Sequence, residues 1–471
     1  MFSSRLPKDI SPSPFFAELE RAKAAVLAEC AVADGRVGNA GRLPFIDMTV
    51  SSPVKAGLPI DLNAAVDEGR ESFGCWNPDA AGWKSAREAV VEYYRERGGN
   101  FTAGQILLTA STSEAYSVLF KTFCDPGDVI LTPMPGYPLL DTLAQLEHLE
   151  CAPYFLKLKR EIASSAVHSR KDKSAAGKSA KFRFVLDTDS LLAAPEKAKI
   201  LLLVSPHNPT GHCISREEWN AAVRFCEEND MVLVVDEVFG DYGFSEKVSR
   251  TWKYVFGVCH PESIRQAQDK LHEVESIYET SQLVDLVELG SKEQDLWDAG
   301  GNDLINLPED GPKCPIFWLN GLSKAVGSPQ LKLGWMAFYA PREHFEEIRA
   351  ALEFVEDAYL SVSAPAQALG TSLLPKAAAY EAQVKERLLA NWQTLREAFP
   401  AKYCPEVLGG WYAVVRLGED DEELTLRLLQ EKHVLVQPGF FFDFDEDGWV
   451  VISLLQEPAI FKEAVRRMAD R

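Results

Sequence analysis

The chain has 471 residues, 46% of them hydrophobic and 25% charged, and 49 basic side chains against 70 acidic ones leave a net charge of −21. That length supports two domains or more with ample core, and the composition is ordinary for a globular protein. The acidic balance argues against nucleic acid and anionic membrane surfaces as partners, so an anionic ligand would need a local positive pocket. The nine cysteines are scattered with no Cys-x-x-Cys pair, so no metal site is expected. They fit free thiols in a reducing, cytoplasmic compartment. MFSSRLPKDISPSPFF at the start lacks the apolar core of a signal peptide, and no run of about 18 apolar residues suggests a membrane span.

Residues 14–33 and 84–97 have helical periodicity. From about residue 105 the pattern alternates. ILLT (106–109) reads as a strand and TSEAYSVLFKTF (112–123) as a helix, and DVILT (128–132) is a strand after an Asp-Pro-Gly turn. KILLLVS (199–205) and MVLVVD (231–236) are continuous apolar runs, as expected of strands covered on both faces. Ser215 and Glu218 form a capping box that opens a helix to about 229. IFWLN from 316 and LGWMAFY from 333 are further strands. This order predicts an α/β fold, a large domain with a mostly parallel sheet covered by helices, over residues 66–342. Residues 1–65 are an N-terminal arm and part of the small domain, and residues 343–471 read as a smaller α+β domain. Two segments break the rhythm. Residues 159–181, rich in Lys, Ser and Ala, read as a mobile surface insertion, and residues 245–314 as a longer excursion with helical pattern at ESIRQAQDKLHEVESIYE. The acidic run GEDDEE (418–423) reads as a solvated helix start.

Open parallel sheets bind ligands at the carboxyl ends of their strands. After the strand at 106–109 come Ser111, Thr112 and Ser113, opening a helix. Such a terminus binds anions, although a plain N-cap reads the same way. After 128–132, PMPGYP places Tyr137 on a stiff turn, and after 199–205 comes PHNPTG, with Asn208 held before a proline that is a candidate for the cis form. After 231–236 come Asp236 and Glu237. A carboxylate that ends a buried strand needs a partner, naturally a cation. Past the strand at 316, Lys324 follows Ser323; a lysine there is ordinarily a solvated loop charge. Taken together, an anion cradle, a flat aromatic, an amide, a carboxylate and an amine suit pyridoxal 5'-phosphate. Its phosphate, ring, phenolic oxygen, ring nitrogen and aldehyde need those groups.

The ordered set TASTSEA (109–115), PGYP (135–138), SPHNPTG (205–211), VVDE (234–237) and LSK with PQLKLGW (322–335) resembles the fold type I pyridoxal-phosphate enzymes, specifically the class I/II aminotransferases. The likeness runs from about 70 to 345, with a weaker tail to 471. It implies that Lys324 is the Schiff-base lysine and proton carrier, that Asp236 pairs with the ring nitrogen and Asn208 with the ring oxygen, and that Tyr137 stacks on the ring. It implies that Ser111, Thr112, Ser113 and Ser323 cradle the phosphate. Lys332 stands where the family usually has a phosphate-binding arginine, and Trp76 where a tyrosine usually reaches the neighbouring subunit. The resemblance further implies an amino acid and a 2-oxo acid as substrates, a ping-pong cycle and a homodimer.

The departures concern the substrate. Phe239 occupies the place of a tyrosine that bonds the ring oxygen, with Tyr242 a nearby substitute. Gly321 replaces a common serine. Val451 falls where an arginine usually grips the substrate carboxylate. Arg416 is one candidate replacement cation and Lys55 a weaker one, each read more simply as a surface charge at a strand end or loop. Phe440, Phe441 and Phe442 suit either an apolar pocket or core. A carbon–sulfur β-lyase of the same fold, and a non-catalytic binding protein, are the alternatives to an aminotransferase.

Overall fold

In the computed structural model, residues 13–34, 44–162, 180–245, 248, 250–256, 311–418 and 420–470 are described, with Ser3, Arg5 and Leu6. The strands in chain order are β1 (Ile46–Asp47), β2 (Ile106–Thr109), β3 (Val129–Met134), β4 (Glu150–Ile162), β5 (Ala180–Leu186), β6 (Ala198–Val204), β7 (Val232–Asp236), β8 (Ile316–Gly321), β9 (Gly334–Tyr339), β10 (Tyr412–Arg416), β11 (Val434–Leu435), β12 (Gln437–Pro438) and β13 (Trp449–Ser453).

The apolar runs explain the architecture. Residues 200–203, 233–235, 316–319 and 335–338 are entirely removed from solvent, which is possible only if helices cover both sheet faces. They lie in one eight-stranded sheet ordered β2-β9-β8-β7-β6-β3-β4-β5. The pairings β8–β7, β7–β6, β6–β3 and β3–β4 are parallel, and those of β9 and β5 are antiparallel. The chain therefore leaves β2, β3, β6, β7 and β8 on one edge, where TASTSEA, PGYP, SPHNPTG, VVDE and LSK fall.

Three regions differ from expectation. The 159–181 insertion is an extension of the β4–β5 hairpin at its two ends, with Lys159 paired to Arg183 and Glu161 to Lys181; 163–179 lie outside the described residues. The near end of the 245–314 excursion is core. Arg250, Thr251 and Trp252 are buried, because Glu237 accepts from Arg250 Nε at 2.9 Å, from Thr251 N at 2.6 Å and from Thr251 Oγ1 at 2.7 Å. Its helical pattern at 262–279 lies outside the described residues. The boundary at 343 also falls inside a packed unit. Helix Phe345–Asp357 lies on helix Thr112–Phe123, and helix Ala364–Leu373 lies on helices Leu62–Gly69 and Lys84–Arg95. The apolar faces of these helices join the large-domain core before the long helix Ala377–Ala398 departs.

The remaining layer is the antiparallel sheet β10-β13-β12 with helices Asp421–Lys432 and Pro458–Ala469. Helix Pro14–Asp34 docks here. Phe15, Leu19, Ala22 and Val26 meet Leu429 and Leu435, and Phe16 stacks on Phe441 with ring centroids 4.6 Å apart. Phe440 meets Phe15 edge-on and Phe442 is buried, so the three phenylalanines serve packing.

The acidic run is only partly solvated. Asp420 caps the helix, accepting from Glu422 N and Glu423 N at 3.0 Å each, whereas Asp421 is buried. Its carboxylate accepts from Phe440 N at 2.8 Å and Gly448 N at 2.6 Å, tying the helix to the phenylalanine turn and to β13. Asp421→Ala strands two N–H donors, at about 1–3 kcal/mol for a buried donor. The urea midpoint of the variant should fall by an amount equivalent to roughly 3 kcal/mol, while Asp420→Ala costs about 1 kcal/mol. Equal losses for the two would contradict the buried tie.

Candidate active site

Lys324 sits on a one-turn helix, Leu322–Ala325, straight after β8. Two close approaches shape this corner. A Cβ on Gly321 would lie 2.9 Å from Gly334 Cα, so β8 and β9 meet only because residue 321 has no side chain, and serine does not fit there. A Cβ on Gly136 would lie 2.1 Å from Pro133 O, which makes glycine obligatory in the turn that delivers Tyr137. The Lys324 main chain is pinned from below, where Tyr242 Oη donates to Lys324 O at 2.6 Å. Tyr242 is therefore committed to the lysine's carbonyl.

The Lys324 amine lies 4.6 Å from the centre of the Trp411 ring and 5.3 Å from that of Phe239. Burial removes water from the ammonium and pulls its pKa down to about 8, while the Asp236 carboxylate works the other way. Asp236 ends β7. It accepts from Tyr116 Oη at 2.6 Å and from Val238 N at 3.0 Å. Burial raises its pKa, and Tyr116, Val238 and Lys324 oppose that rise. Glu237 points away to Arg250, so the two adjacent carboxylates serve opposite faces of the strand.

Ser111 N-caps helix Thr112–Phe123, its hydroxyl accepting from Glu114 N at 3.2 Å. Thr112 and Ser113 form the first turn, partly exposed. The Lys332 loop arrives beside them, since the Cα of Gly334 faces Ser111 and the Thr109 hydroxyl. Lys332 is exposed, with left-handed backbone at φ 51°. Ser323 is partly exposed on the turn before Lys324. Tyr137 is 45% exposed and near enough to Asp236 that the carboxylate adds to the upward push of burial on its phenol. Asn208 is buried, and its Oδ1 has no partner among the described residues. The Asn208–Pro209 bond is cis, as are Met134–Pro135 and Ser205–Pro206.

Two candidates are not brought to this cluster. Arg416 ends β10 five residues beyond Trp411; its guanidinium pairs with Glu446, its Nε donates to Asp447 O at 3.3 Å, and it lies over Trp449. It is a strand-end charge with its own carboxylate. Trp76 is 81% exposed, on a loop that borders a separate cavity. Val451 is fully buried between Val414 and Gln437, so an arginine there would place its stem in the small-sheet core. Lys55 is exposed on a loop whose Ser51 hydroxyl bonds the Tyr412 phenol, and Tyr412 packs on Phe239 at 5.9 Å.

Sequence reasoning missed Tyr116 and Trp411. Tyr116 carried a readable signal, because it lies one turn beyond Thr112 on the same helix face. Trp411 carried none, as it is distant in sequence. An amine of lowered pKa, a carboxylate, an orphaned buried amide and a helix N-terminus together fit pyridoxal 5'-phosphate. After hydroxylamine stripping of bound carbonyl compounds, amine-directed labelling of Lys324 should be half-maximal near pH 8. Asp236→Asn should move that midpoint down, since the carboxylate favours the ammonium. An unmoved midpoint would contradict the coupling.

A family model described as aminotransferase class I and II matches residues 66–277 and 285–468. Glutamate-pyruvate aminotransferase of Haemophilus influenzae is 22% identical over 408 residues, covering 83% of this chain and 81% of that protein. Alanine aminotransferase of Mycobacterium tuberculosis is 24% identical over 411 residues, covering 83% and 77%. Among solved structures, alanine aminotransferase from Pyrococcus furiosus superposes with a TM-score of 0.66 at 19% identity over 98% of each chain. Aspartate aminotransferase from Thermotoga maritima gives 0.65 at 18%, covering 98% of this chain and 97% of that one. With a family match that spans most of the sequence and a site built from the residues this chemistry needs, the chain belongs to the class I and II aminotransferases and is a pyridoxal-phosphate-dependent enzyme.

Proposed function

We propose that this aminotransferase works by a ping-pong cycle, as a cytoplasmic homodimer, with Lys324 carrying the proton at the substrate's Cα. We further propose alanine or glutamate with pyruvate as the first pair to assay. The relatives named for that pair support this choice. The β-lyase alternative is not favoured by any of them. The observation that carries the reading is the Lys324 amine, held near Asp236 between two aromatic rings with its pKa drawn down to about 8.

When bound, the cofactor supplies an electrophilic carbon and an electron sink. The protein's own groups do the rest. A pKa near 8 gives Lys324 a neutral fraction at pH 7 that can take the Cα proton, and an ammonium that can return it. Phe239 and Trp411 keep water from that amine. Asp236 would hold a ring nitrogen protonated, with Tyr116 fixing the carboxylate's direction. Asn208 would bond the ring oxygen and Tyr137 cover the ring. Ser111, Thr112, Ser113, Ser323 and Lys332 would receive the phosphate, Lys332 as a point charge without an arginine's fork. For the substrate carboxylate, Lys55 replaces Arg416 as the cation of choice, because its loop borders Tyr412.

Borohydride reduction followed by peptide mapping should place the pyridoxyl label on Lys324. Lys324→Ala should lower the half-reaction rate with alanine by about 10²-fold or more. Arg416→Ala should leave it unchanged and Lys55→Ala should raise KM. A label elsewhere, or pyruvate and ammonia released from a β-substituted amino acid with no acceptor, would defeat the reading.

A further inference from the structure

The small sheet turns one face to the large domain. Residues directly opposite in an antiparallel pair share a face, and so do Tyr412, Val414 and Arg416 at alternate positions of β10. Their partners on β13 are Ser453, Val451 and Trp449, and Gln437 of β12 stands opposite Val451. Gln437 therefore lies on the face that carries Tyr412 and Trp449. The Tyr412 ring meets Phe239, just after β7, at 5.9 Å, and the Trp449 ring meets Phe184 of β5 at 5.8 Å. Both contacts are with the large sheet, and Phe239 is also the ring 5.3 Å from the Lys324 amine. The chain after Gln437 runs on to Phe442, whose carbonyl accepts from Gly136 N at 2.8 Å in the turn that delivers Tyr137. The polar groups of this face have partners, with one exception. The Tyr412 phenol is bonded by Ser51, Ser453 Oγ accepts from Leu455 N at 3.2 Å, and Arg416 pairs with Glu446. Gln437 is the exception. Its Oε1 is buried and has no hydrogen-bond partner. Its Nε2 makes no hydrogen bond among the described residues, and the side chain is partly exposed, so the open end of the amide is the donor end.

We infer that Gln437 is a specificity-determining residue, donating from Nε2 to a carboxylate of the amino-acid or 2-oxo-acid ligand. Beside Val414 and Val451, a leucine would fill the same space without stranding a buried oxygen, so the amide costs stability where it stands. Its open donor end needs an acceptor, and a carboxylate is the strongest acceptor that such a ligand carries. A neutral amide brings direction and no charge, which complements the single charge proposed for Lys55. The carboxylate is either the one on Cα, shared with Lys55, or the side-chain one of a dicarboxylic ligand such as glutamate. The inference rests on the aminotransferase reading, which supplies the class of ligand.

Two variants of the holoenzyme test it. Gln437→Leu removes the donor, and Gln437→Glu keeps the shape but sets a like charge against the ligand. In half-reactions with alanine and with glutamate, Gln437→Leu should raise the half-saturating concentration about tenfold or more while the maximal rate stays within about twofold. Gln437→Glu should raise it further. Glutarate, a dicarboxylate with no amine to react, should bind the wild-type holoenzyme in calorimetry and lose affinity in both variants. The melting temperature of Gln437→Leu should equal or exceed the wild type's, because no buried oxygen is left unpaired; a packing role for the amide would lower it. Equal losses for alanine and glutamate assign the carboxylate on Cα, and a loss confined to glutamate and glutarate assigns the side-chain carboxylate. Wild-type affinity for all three ligands in the variants, a loss of maximal rate with affinity intact, or no binding of any of the three by the wild type overturns the inference. Failure of the aminotransferase reading shows instead as a pyridoxyl label away from Lys324, which none of these substitutions moves.

Discussion

The site depends on the opposition between burial and charge at one amine. Bringing the Lys324 Nζ between Trp411 and Phe239 weakens its ammonium, and Asp236 limits the loss. A pKa drawn from 10.5 to about 8 penalises the charged form by roughly 3 kcal/mol. That leaves the lysine able to be either acid or base near neutrality, which a solvated lysine is not. The carboxylate has the reciprocal problem. Burial favours its neutral form and raises its pKa, and the Tyr116 hydroxyl and Val238 N–H oppose that rise. Each group is thus tuned by the other and by neutral dipoles, with no metal or second lysine required.

Such tuning works only if the two backbones do not drift. β7 carries Asp236 and its neighbour β8 leads into Lys324, and their parallel pairing runs through Asp236–Leu319. On the reverse side of the strand lies a closed ion cluster. Glu237 and Asp241 meet Arg250, and Asp241 also takes Arg97. Tyr93 binds Asp241 and receives Asn320 Nδ2 at 3.1 Å, while Asn320 Oδ1 accepts from Gly321 N at 2.7 Å. The two buried acids face two guanidinium groups, and Arg97 also pairs with the more exposed Glu381 and Glu96, so each buried charge has an opposite partner. One of its acids precedes Tyr242 in sequence, and Tyr242 holds the Lys324 carbonyl. The cluster therefore reaches Lys324 from two directions, through Asn320 and through Tyr242.

The sheet and its ligand edge were legible because apolar runs and capping residues are local signals. KILLLVS and MVLVVD became β6 and β7, and the Ser215–Glu218 box opened its helix. Asp236, Asn208 and Lys324 stood out in the sequence because each ends or follows a strand, and that edge is where ligands bind. The misses share a cause, since a side chain's partner can lie far away in sequence. Asp421 looked solvated among acidic neighbours, yet its acceptors serve Phe440 and Gly448. Arg416 looked free because Glu446 approaches it only across the β10–β13 pairing. Glu237, next to Asp236, could not be assigned a partner because Arg250 lies at the near end of a segment that read as an excursion.

Val451 bears on how such a site holds a substrate. In β13 it is sealed between Val414 and Gln437, and the sheet around it is closed by Val450, Ile452 and Trp449, all buried. The position is packed as apolar core. A substrate carboxylate must then be met from another wall. The segment after β1 is fixed to the same sheet, because Met48 O accepts from Ser453 N at 2.7 Å, and its next loop bonds Tyr412 through Ser51. Arg387 holds Ala56 O at 2.6 Å, so the loop that carries Lys55 is anchored on both sides. An exposed lysine on an anchored loop offers a single charge in place of a bidentate fork. On the proposal that Lys55 meets the substrate carboxylate, orientation of the substrate would depend more on the cofactor and on the aromatic wall of Phe239, Trp411 and Tyr412 than on a paired clamp.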